Sequence, residues 1–377
     1  MNMFYETQEF IEVCKRIGQR RNATTEQRRV HTDSIKDLQD IGFFKLLLKK
    51  EYGGLETDLK SFFHSQLEIS KECMSTAWAC GIIAVHAYQM ALMSKQAQDD
   101  VYTLDPNALI ASAYAPMGKV EPVEGGFMFN GRWAWNSGGD HCSWSFLGGI
   151  VPNEGYRTFL VPRTDYRLEE TWYSIGLKGT GSNDVVIDSP VFVPDYRTHK
   201  QLDGYMGNNP GKNYTTNPLY SIPWAQLFVR VVNTPAIGSL DRAVRLFMNN
   251  LANSSFDPSK GATDPDTLQR IALAANTVDE LICVLDRNLE TMSVGELSLD
   301  DRIKFRYQAS LVIDRCCTAI DLLMDSAGGR SVYLGSEIQQ IFLDIHTARA
   351  HLANNPTQFG RNYANNLLGS ENKDFFV

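Results

Sequence analysis

Between Leu109 and about Pro194 the chain stops reading as helix and reads as strand, and this interruption limits the folds open to it. The runs GGFMFNGRWAW, SWSFLGGIV, YRTFLVP and DVVIDSPVFVP are rich in Val, Phe, Tyr and Trp, and Gly, Pro and Asn separate them. Such residues suit a pleated sheet and such separators make turns, so an antiparallel β-domain is expected here. Before it, TTEQRRVHTDSIKDLQDIGFFKLLL and AWACGIIAVHAYQMALMSKQAQDDVY carry apolar residues at helical spacing, and Pro106 marks the join. After it comes a polar, Gly/Asn/Pro-rich loop at 201–218. Helical spacing then returns near 222–252, 264–290, 300–327 and 336–354, long enough for a four-helix bundle. The class is α+β without an internal repeat: helical residues 1–107, a β-domain at 108–205, and a helical bundle at 206–377.

One strand is unusual. GRWAWNSGGDHCSW (Gly131 to Trp144) holds three tryptophans and sets Ser137 between an asparagine and two glycines. At most one of Trp133 and Trp135 is read as facing something flat, and the other as packing.

Several chemistries lack their motif. No G-x-G-x-x-G follows a strand and opens a helix, which argues against a nicotinamide site. GLKGTGSND (Gly176 to Asp184) is glycine-rich but lies between strands and lacks a P-loop ending. No G-x-S-x-G or H-E-x-x-H occurs. His346 and His351 fall on different helix faces, and Asp140-His141-Cys142 is a poor metal set, so no metal is expected. The formal net charge of −8 advertises no nucleic-acid or anionic-lipid surface. No apolar run is long enough to span a bilayer, and MNMFYETQEF has no signal-peptide character. Seven cysteines without a CxxC pair read as reduced thiols in a cytoplasmic protein.

The ordered set STAWACGIIAVHAYQMAL, ASAYAPMGKVEPVEGGFMFNGRWAWNSGGDHCSW, GLKGTGSNDVVI, AGGRSVYLGSEIQQIFLDIHTARAH and FGRNYANNLLG resembles the acyl-CoA dehydrogenase superfamily. Within it the chain is most similar to the oxygenase components of two-component aromatic hydroxylases such as 4-hydroxyphenylacetate 3-hydroxylase. The resemblance implies that the flat object is the isoalloxazine of reduced FMN or FAD, delivered by a separate flavin reductase. Oxygen is then the co-substrate, a C4a-hydroperoxide the oxidant, and a small phenol or indole-type ring the substrate. Ser137 inherits the hydroxyl that bonds the flavin near N5, as a single fixed donor in a desolvated pocket.

The same resemblance implies that His86 and His351 are the acid/base and substrate-positioning groups, imidazoles near their ordinary pKa of about 6.5. Ser112 would orient the phenol. Trp135, Gly138, Thr180, Ser182 and Arg230, on the first bundle helix, would contact the flavin, and Arg330 would approach the flavin of a neighbouring subunit in a homotetramer or homodimer. Each has a plainer reading: a bonded core histidine for His86, an exposed helix residue for His351, turns for Ser137 and the Thr180–Ser182 loop, a strand bond for Ser112, surface charge for Arg230.

A dehydrogenase needs a carboxylate base, and the two positions that supply it align with Leu352 and Val229, neither of which accepts a proton. Gln340-Ile341-Phe342-Leu343-Asp344 also lacks two arginines usual in the oxygenases. The rival readings are a dehydrogenase with another base, an N-oxygenase of an amine, and a non-catalytic flavin binder.

Overall fold

The computed structural model describes residues 3–252 and 264–377. The first helical segment comprises α1 (Gln8–Glu26), α2 (Thr32–Asp40), α3 (Leu59–Glu72), α4 (Met74–Leu92) and α5 (Lys95–Tyr102). Side-chain caps start α3 and α5: Asp58 accepts from Ser61 N, and Ser94 from Ala97 N. All 19 residues of α4 are buried, as expected of a helix apolar on every side.

The sheet is built from β1 (Ile110–Val123), β2 (Gly126–Asn136), β3 (Trp144–Val151), β4 (Gly155–Pro162), β5 (Arg167–Glu169), β6 (Asn183–Pro194) and β7 (Thr198–Lys200), in the order β5-β6-β2-β1-β3-β4-β7. It is mixed, which corrects the antiparallel expectation at one place: β1 and β3 run parallel, with Ile110 opposite Trp144. The cause is local. A tight turn at Gly125 folds β2 back on one side of β1, and residues 137–143 then carry the chain across to its other side. Phe129, Trp133 and Phe159 fill the sheet's core, with the two phenylalanine rings stacked at 4.2 Å.

The remainder is α6 (Gln201–Met206), α7 (Trp224–Val231), α8 (Thr234–Ala252), α9 (Pro265–Val294), α10 (Leu299–Ser326), α11 (Glu337–Ala348) and α12 (Pro356–Leu367). Three details depart from the sequence reading. The expected loop at 201–218 contains α6, and Gly211 lies so close to α4 that a Cβ there would sit 1.9 Å from Ala91 O. The stretch 222–252 is two helices, because Pro235 cannot continue the hydrogen-bond ladder of α7 but is tolerated in the first turn of α8. The stretch 336–354 ends early, at Ala348, and a short 3-10 turn (Leu352–Asn354) precedes α12.

Buried apolar side chains from the first and last helical segments form one continuous cluster, including Phe62, Trp78, Leu227, Val231, Leu240, Ile313 and Ile345. Arg21 on α1 and Arg242 on α8 both bond Glu337 on α11, tying the two segments at the edge of that cluster.

Candidate active site

Two short turns bring three hydroxyls together. Residues 137–141 leave β2, and residues 177–182 enter β6 through Leu177 and Gly181, both in the left-handed region. Gly138 N donates to Thr180 O at 2.8 Å and locks the turns to each other. Gly138 has φ +74°, and a Cβ there would meet Ile83 Cδ1 of α4 at 2.7 Å, so only glycine fits. Thr180 Oγ1 donates to Leu177 O at 2.8 Å, which uses its proton. Ser182 must therefore donate to Thr180 Oγ1 at 2.6 Å, and Ser137 to Ser182 Oγ at 2.8 Å. The chain of donors ends with Ser137 offering lone pairs only. Where the sequence suggested a fixed donor, Ser137 is a fixed acceptor.

Trp133 is fully buried, with its indole N–H on Gly148 O at 2.8 Å, whereas Trp135 is 64% exposed. Trp135 also has φ +69°, a conformation that costs a non-glycine residue about 1–3 kcal/mol. The turn carrying Ser137 thus begins at a strained residue that holds an indole out of the core.

Asp344 of α11 anchors the other turn. Its carboxylate accepts from Leu177 N at 2.5 Å and from Gln340 Nε2 at 2.7 Å, while burial raises its pKa to about 6. Replacing Asp344 with alanine is expected to cost about 1–3 kcal/mol in urea unfolding, because Leu177 N is left buried without an acceptor. Asparagine, which keeps the acceptor, should restore most of that loss.

His86 lies on the same helix as Ile83, in a wall of rings. Phe146, Tyr114 and Trp224 have ring centroids within 6.1 Å of its own. Its Nδ1 is 2.7 Å from Ile110 O, which can only accept, so the proton sits on Nδ1. Burial pushes the imidazole pKa down to about 4, against the Ile110 hydrogen bond, leaving Nε2 a bare acceptor. The Tyr114 hydroxyl, 3.0 Å away, must donate to it. That hydroxyl has one proton and also lies 2.5 Å from Gln89 Oε1, a second acceptor, so the two contacts are both satisfied only with the Gln89 amide turned over to present its N–H. This orientation supplies a partner for Gln89 Nε2, which is otherwise buried and unpaired. Protons then run from Gln89 to Tyr114, from Tyr114 to His86, and from His86 to Ile110 O. Ser112 is buried on β1, and burial pushes the Tyr114 phenol far above its usual range despite hydrogen bonding from Ser112 and Gln89.

His351 is not on a helix, which corrects the sequence reading. It caps the 3-10 turn, its Nδ1 accepting from Ala353 N at 3.1 Å. Burial, with a smaller push from Arg306, lowers its pKa to about 4. Neutral with Nδ1 occupied as an acceptor, it carries its proton on Nε2, where it has no partner among the described residues. Both imidazoles therefore depart from the ordinary pKa expected of them. The ring contacts Trp78 at 5.8 Å and Phe228 at 6.3 Å, and Phe228 meets Tyr114 edge-on at 5.0 Å. An aromatic wall thus runs between an acceptor side, Tyr114–His86, and a donor side, His351. Phe376, from the segment at 372–377, closes on Phe228 at 6.3 Å.

Arg230 sits on α7, ahead of the bundle, and is buried, which removes the surface-charge reading. Its neighbours are Gln226, Phe305 and Arg306 and not the hydroxyl cluster. Arg330 is exposed beside exposed Val332, Tyr333 and Leu334, and is not brought to either cluster within this chain. Val229 is buried and apolar and Leu352 is 72% exposed, so neither dehydrogenase position holds a base. Sequence reasoning missed Tyr114, Gln89 and Arg306. Tyr114 had a signal, since it shares a strand face with Ser112 two residues earlier. No group of three His, Cys, Asp or Glu side chains able to hold a metal occurs among the described residues, and no helix there is long and apolar enough to cross a membrane.

Comparison with known proteins gives consistent matches. Models described as the N-terminal and C-terminal domains of acyl-CoA dehydrogenase match residues 6–103 and 236–356. The chain is 36% identical, over 90% of its length and 92% of the relative's, to the flavin-dependent monooxygenase oxygenase subunit HsaA of Rhodococcus jostii RHA1. It is 30% identical, over 90% of its length and 83% of the relative's, to the oxygenase component of p-hydroxyphenylacetate 3-hydroxylase from Acinetobacter baumannii. The crystal structure of 3-HSA hydroxylase from Rhodococcus sp. RHA1 superposes with a TM-score of 0.94 at 33% identity, covering 99% of this chain and 100% of the other.

Proposed function

The chain belongs to the acyl-CoA dehydrogenase family, among its flavin-dependent monooxygenases, and from that premise we propose how its residues divide the work of hydroxylating an aromatic ring. It is an oxidoreductase, the oxygenase component of a two-component system that takes reduced FMN or FAD from a separate reductase and uses O2 as co-substrate. The observation that carries the assignment of the flavin site is the proton order of the Thr180–Ser182–Ser137 chain. Reduced flavin has an N–H at N5 and oxidised flavin a bare nitrogen, so an acceptor-only Ser137 fits the reduced form. Bound reduced flavin supplies the two electrons that activate oxygen.

Trp135, Ser137, Gly138, Thr180 and Ser182 hold the ring edge. The Tyr114 oxygen, already holding the Gln89 N–H, accepts the hydrogen of the substrate's hydroxyl or ring N–H in place of the Ser112 donor, while its own proton leans toward His86 Nε2, which raises electron density on the ring. Ser112, so released, orients the substrate's oxygen. His351 Nε2–H donates to an oxygen on the opposite side, and Trp78, Trp224 and Phe228 keep water out. We assign the flavin face, with Ser112 and Tyr114, to residues 108–205, His86 and Gln89 to 1–107, and flavin, substrate and subunit contacts to 206–377. The exposed Arg330–Leu334 loop supports a homotetramer or homodimer in which this loop reaches a neighbouring subunit's flavin. A cytoplasmic location completes the proposal.

Anaerobic titration with oxidised and reduced FMN and FAD, followed by rapid mixing with oxygen, tests it. Wild type should bind reduced flavin at least tenfold more tightly and give a long-lived near-ultraviolet transient. Ser137→Ala should shorten that transient and divert consumed oxygen to hydrogen peroxide. Ser182→Ala releases the Ser137 proton and should narrow the preference for reduced flavin. Equal affinity for the two redox forms in wild type would remove the basis of the assignment.

A further inference from the structure

The segment at 372–377 has no helix or strand of its own, yet every second residue turns inward. Asn372, Asp374 and Phe376 are half-buried and Val377 is 1% exposed, whereas Phe375 is 53% exposed. Two turns set this course locally: Asn372 Oδ1 accepts from Asp374 N at 3.2 Å, and Asp374 Oδ1 accepts from Phe376 N at 2.8 Å. Such side-chain turns fix a backbone without a helix or a sheet. Contacts with other elements then hold the segment down. Asn372 accepts from Asn362 of α12 at 2.8 Å and donates to the Tyr205 hydroxyl of α6 at 3.3 Å. Arg302 of α10 donates to Val377 O from Nε at 3.1 Å and from Nη2 at 2.8 Å, and the same Nη2 donates to Tyr205 O at 3.0 Å. Its guanidinium lies 4.7 Å over the Tyr205 ring, which meets Phe375 edge-on at 5.2 Å. The backbone O of Arg302 accepts from Gln226 Nε2 of α7 at 3.0 Å. One residue thus joins the segment, α6 and the helix that carries Phe228.

These bonds have one apolar result. The Phe376 ring stands 6.3 Å from Phe228, which itself meets His351 and Tyr114. We propose that Phe376 is a specificity-determining residue, the outer wall of the ring pocket, and that Arg302 is the positioning residue that holds it there. The proposal rests on the monooxygenase reading and adds to it which substituent the substrate carries. A substrate ring lying along Phe228, its hydroxyl on Tyr114, extends toward Phe376. Phe376 offers no polar atom, so the substituent that reaches it is apolar, and Phe376 limits its length. Asp374 on the same segment adds a negative charge, which attracts Arg306 and repels an anionic substituent. One methylene that fits or overfills an apolar pocket changes discrimination by about 10–200-fold, so a single ring at the wall is enough to set such a limit.

The measurement is anaerobic calorimetric binding of a 4-alkylphenol series, from 4-methylphenol to 4-octylphenol, to protein loaded with reduced FMN. Wild-type affinity should climb with length and then fall by about tenfold or more at one homologue. Phe376→Ala should move that limit to longer chains, with a gain of about tenfold for the first homologue that wild type rejects, and Phe376→Trp should move it to shorter ones. Arg302→Met, which frees Val377 O and Tyr205 O together, should blunt the limit, and Arg302→Lys should restore part of it. Absence of binding by every homologue, or of any limit among them, overturns the proposal, as does a limit at one length in wild type and both Phe376 variants. An equal loss for all homologues with a lowered urea midpoint would make the segment a support for the core and nothing more, which also overturns it. A limit as sharp in Arg302→Met as in wild type removes the positioning role. Oxygen takes no part in these measurements, so failure of the monooxygenase reading would show separately, as rapid uncontrolled reoxidation of flavin.

Discussion

Replacing His86 with phenylalanine is expected to lower hydroxylation by about two to four orders of magnitude while leaving the affinity for reduced flavin close to wild type. Phenylalanine fits the ring cluster in volume, but the Tyr114 hydroxyl loses its acceptor and Ile110 O its donor. Flavin would still bind at the Ser137 cluster, which packs on Ile83 of α4 and makes no bond to His86, so oxygen consumption should continue and appear as hydrogen peroxide. Tyr114→Phe should do nearly the same. Because the two side chains act through one proton, the double variant should be hardly worse than either single one. Product formed per oxygen consumed is the measurement. Fully additive losses would mean that His86 meets the substrate without Tyr114.

The second large effect is on stability in acid. His86 and His351 have folded-state pKa values near 4, against an ordinary value near 6.5. Between those limits the unfolded chain binds more protons than the folded one, so stability is fully present above about pH 6.5 and is lost as pH falls toward 4. Each histidine contributes up to about 3 kcal/mol at 1.36 kcal/mol per pKa unit. Burial depresses His141 and His199 in the same sense. Asp344 acts oppositely: its folded pKa is raised to about 6, so its contribution is present at low pH and lost as pH rises through that value. It offsets one histidine and not four. Urea midpoints should therefore fall steeply from pH 7 to 4.5, and His86→Phe should flatten the slope by its share. A pH-independent midpoint would show that the imidazoles are hydrated.

The parts of the site legible in the sequence are those whose residues are close in the chain. Trp135-Asn136-Ser137-Gly138 breaks a strand with an indole, a hydroxyl and a glycine, and Thr180 and Ser182 repeat the hydroxyl–glycine theme before β6. What escaped depends on packing between distant elements. Tyr114 and Gln89 become partners only because β1 lies along α4. The charge of Arg230 looks like ordinary surface in a string of letters, since charge pattern does not report burial. The parallel pairing of β1 and β3 escaped too, because strand texture says nothing about which side of a neighbour the chain crosses to. Pro235 marks the break between α7 and α8 in the sequence, although the helical spacing runs through it from 222 to 252.

Helix α4 has no solvent face, and three of its side chains address three parts of the site: Trp78 touches His351, Ile83 backs Gly138, and His86 bonds Tyr114. A residue exchanged anywhere along it disturbs the core, the catalytic wall, or both, so this side of the pocket has little room to vary among descendants that still fold. The opposite side is built from α7 and the turns at 210–221, whose Tyr220, Trp224 and Leu227 are core residues as well, and from the segment at 372–377, which only packs against the core through Phe376. New substrate preferences would therefore be acquired there, by lineages that inherit the oxygen chemistry unchanged and renegotiate only what is brought to it.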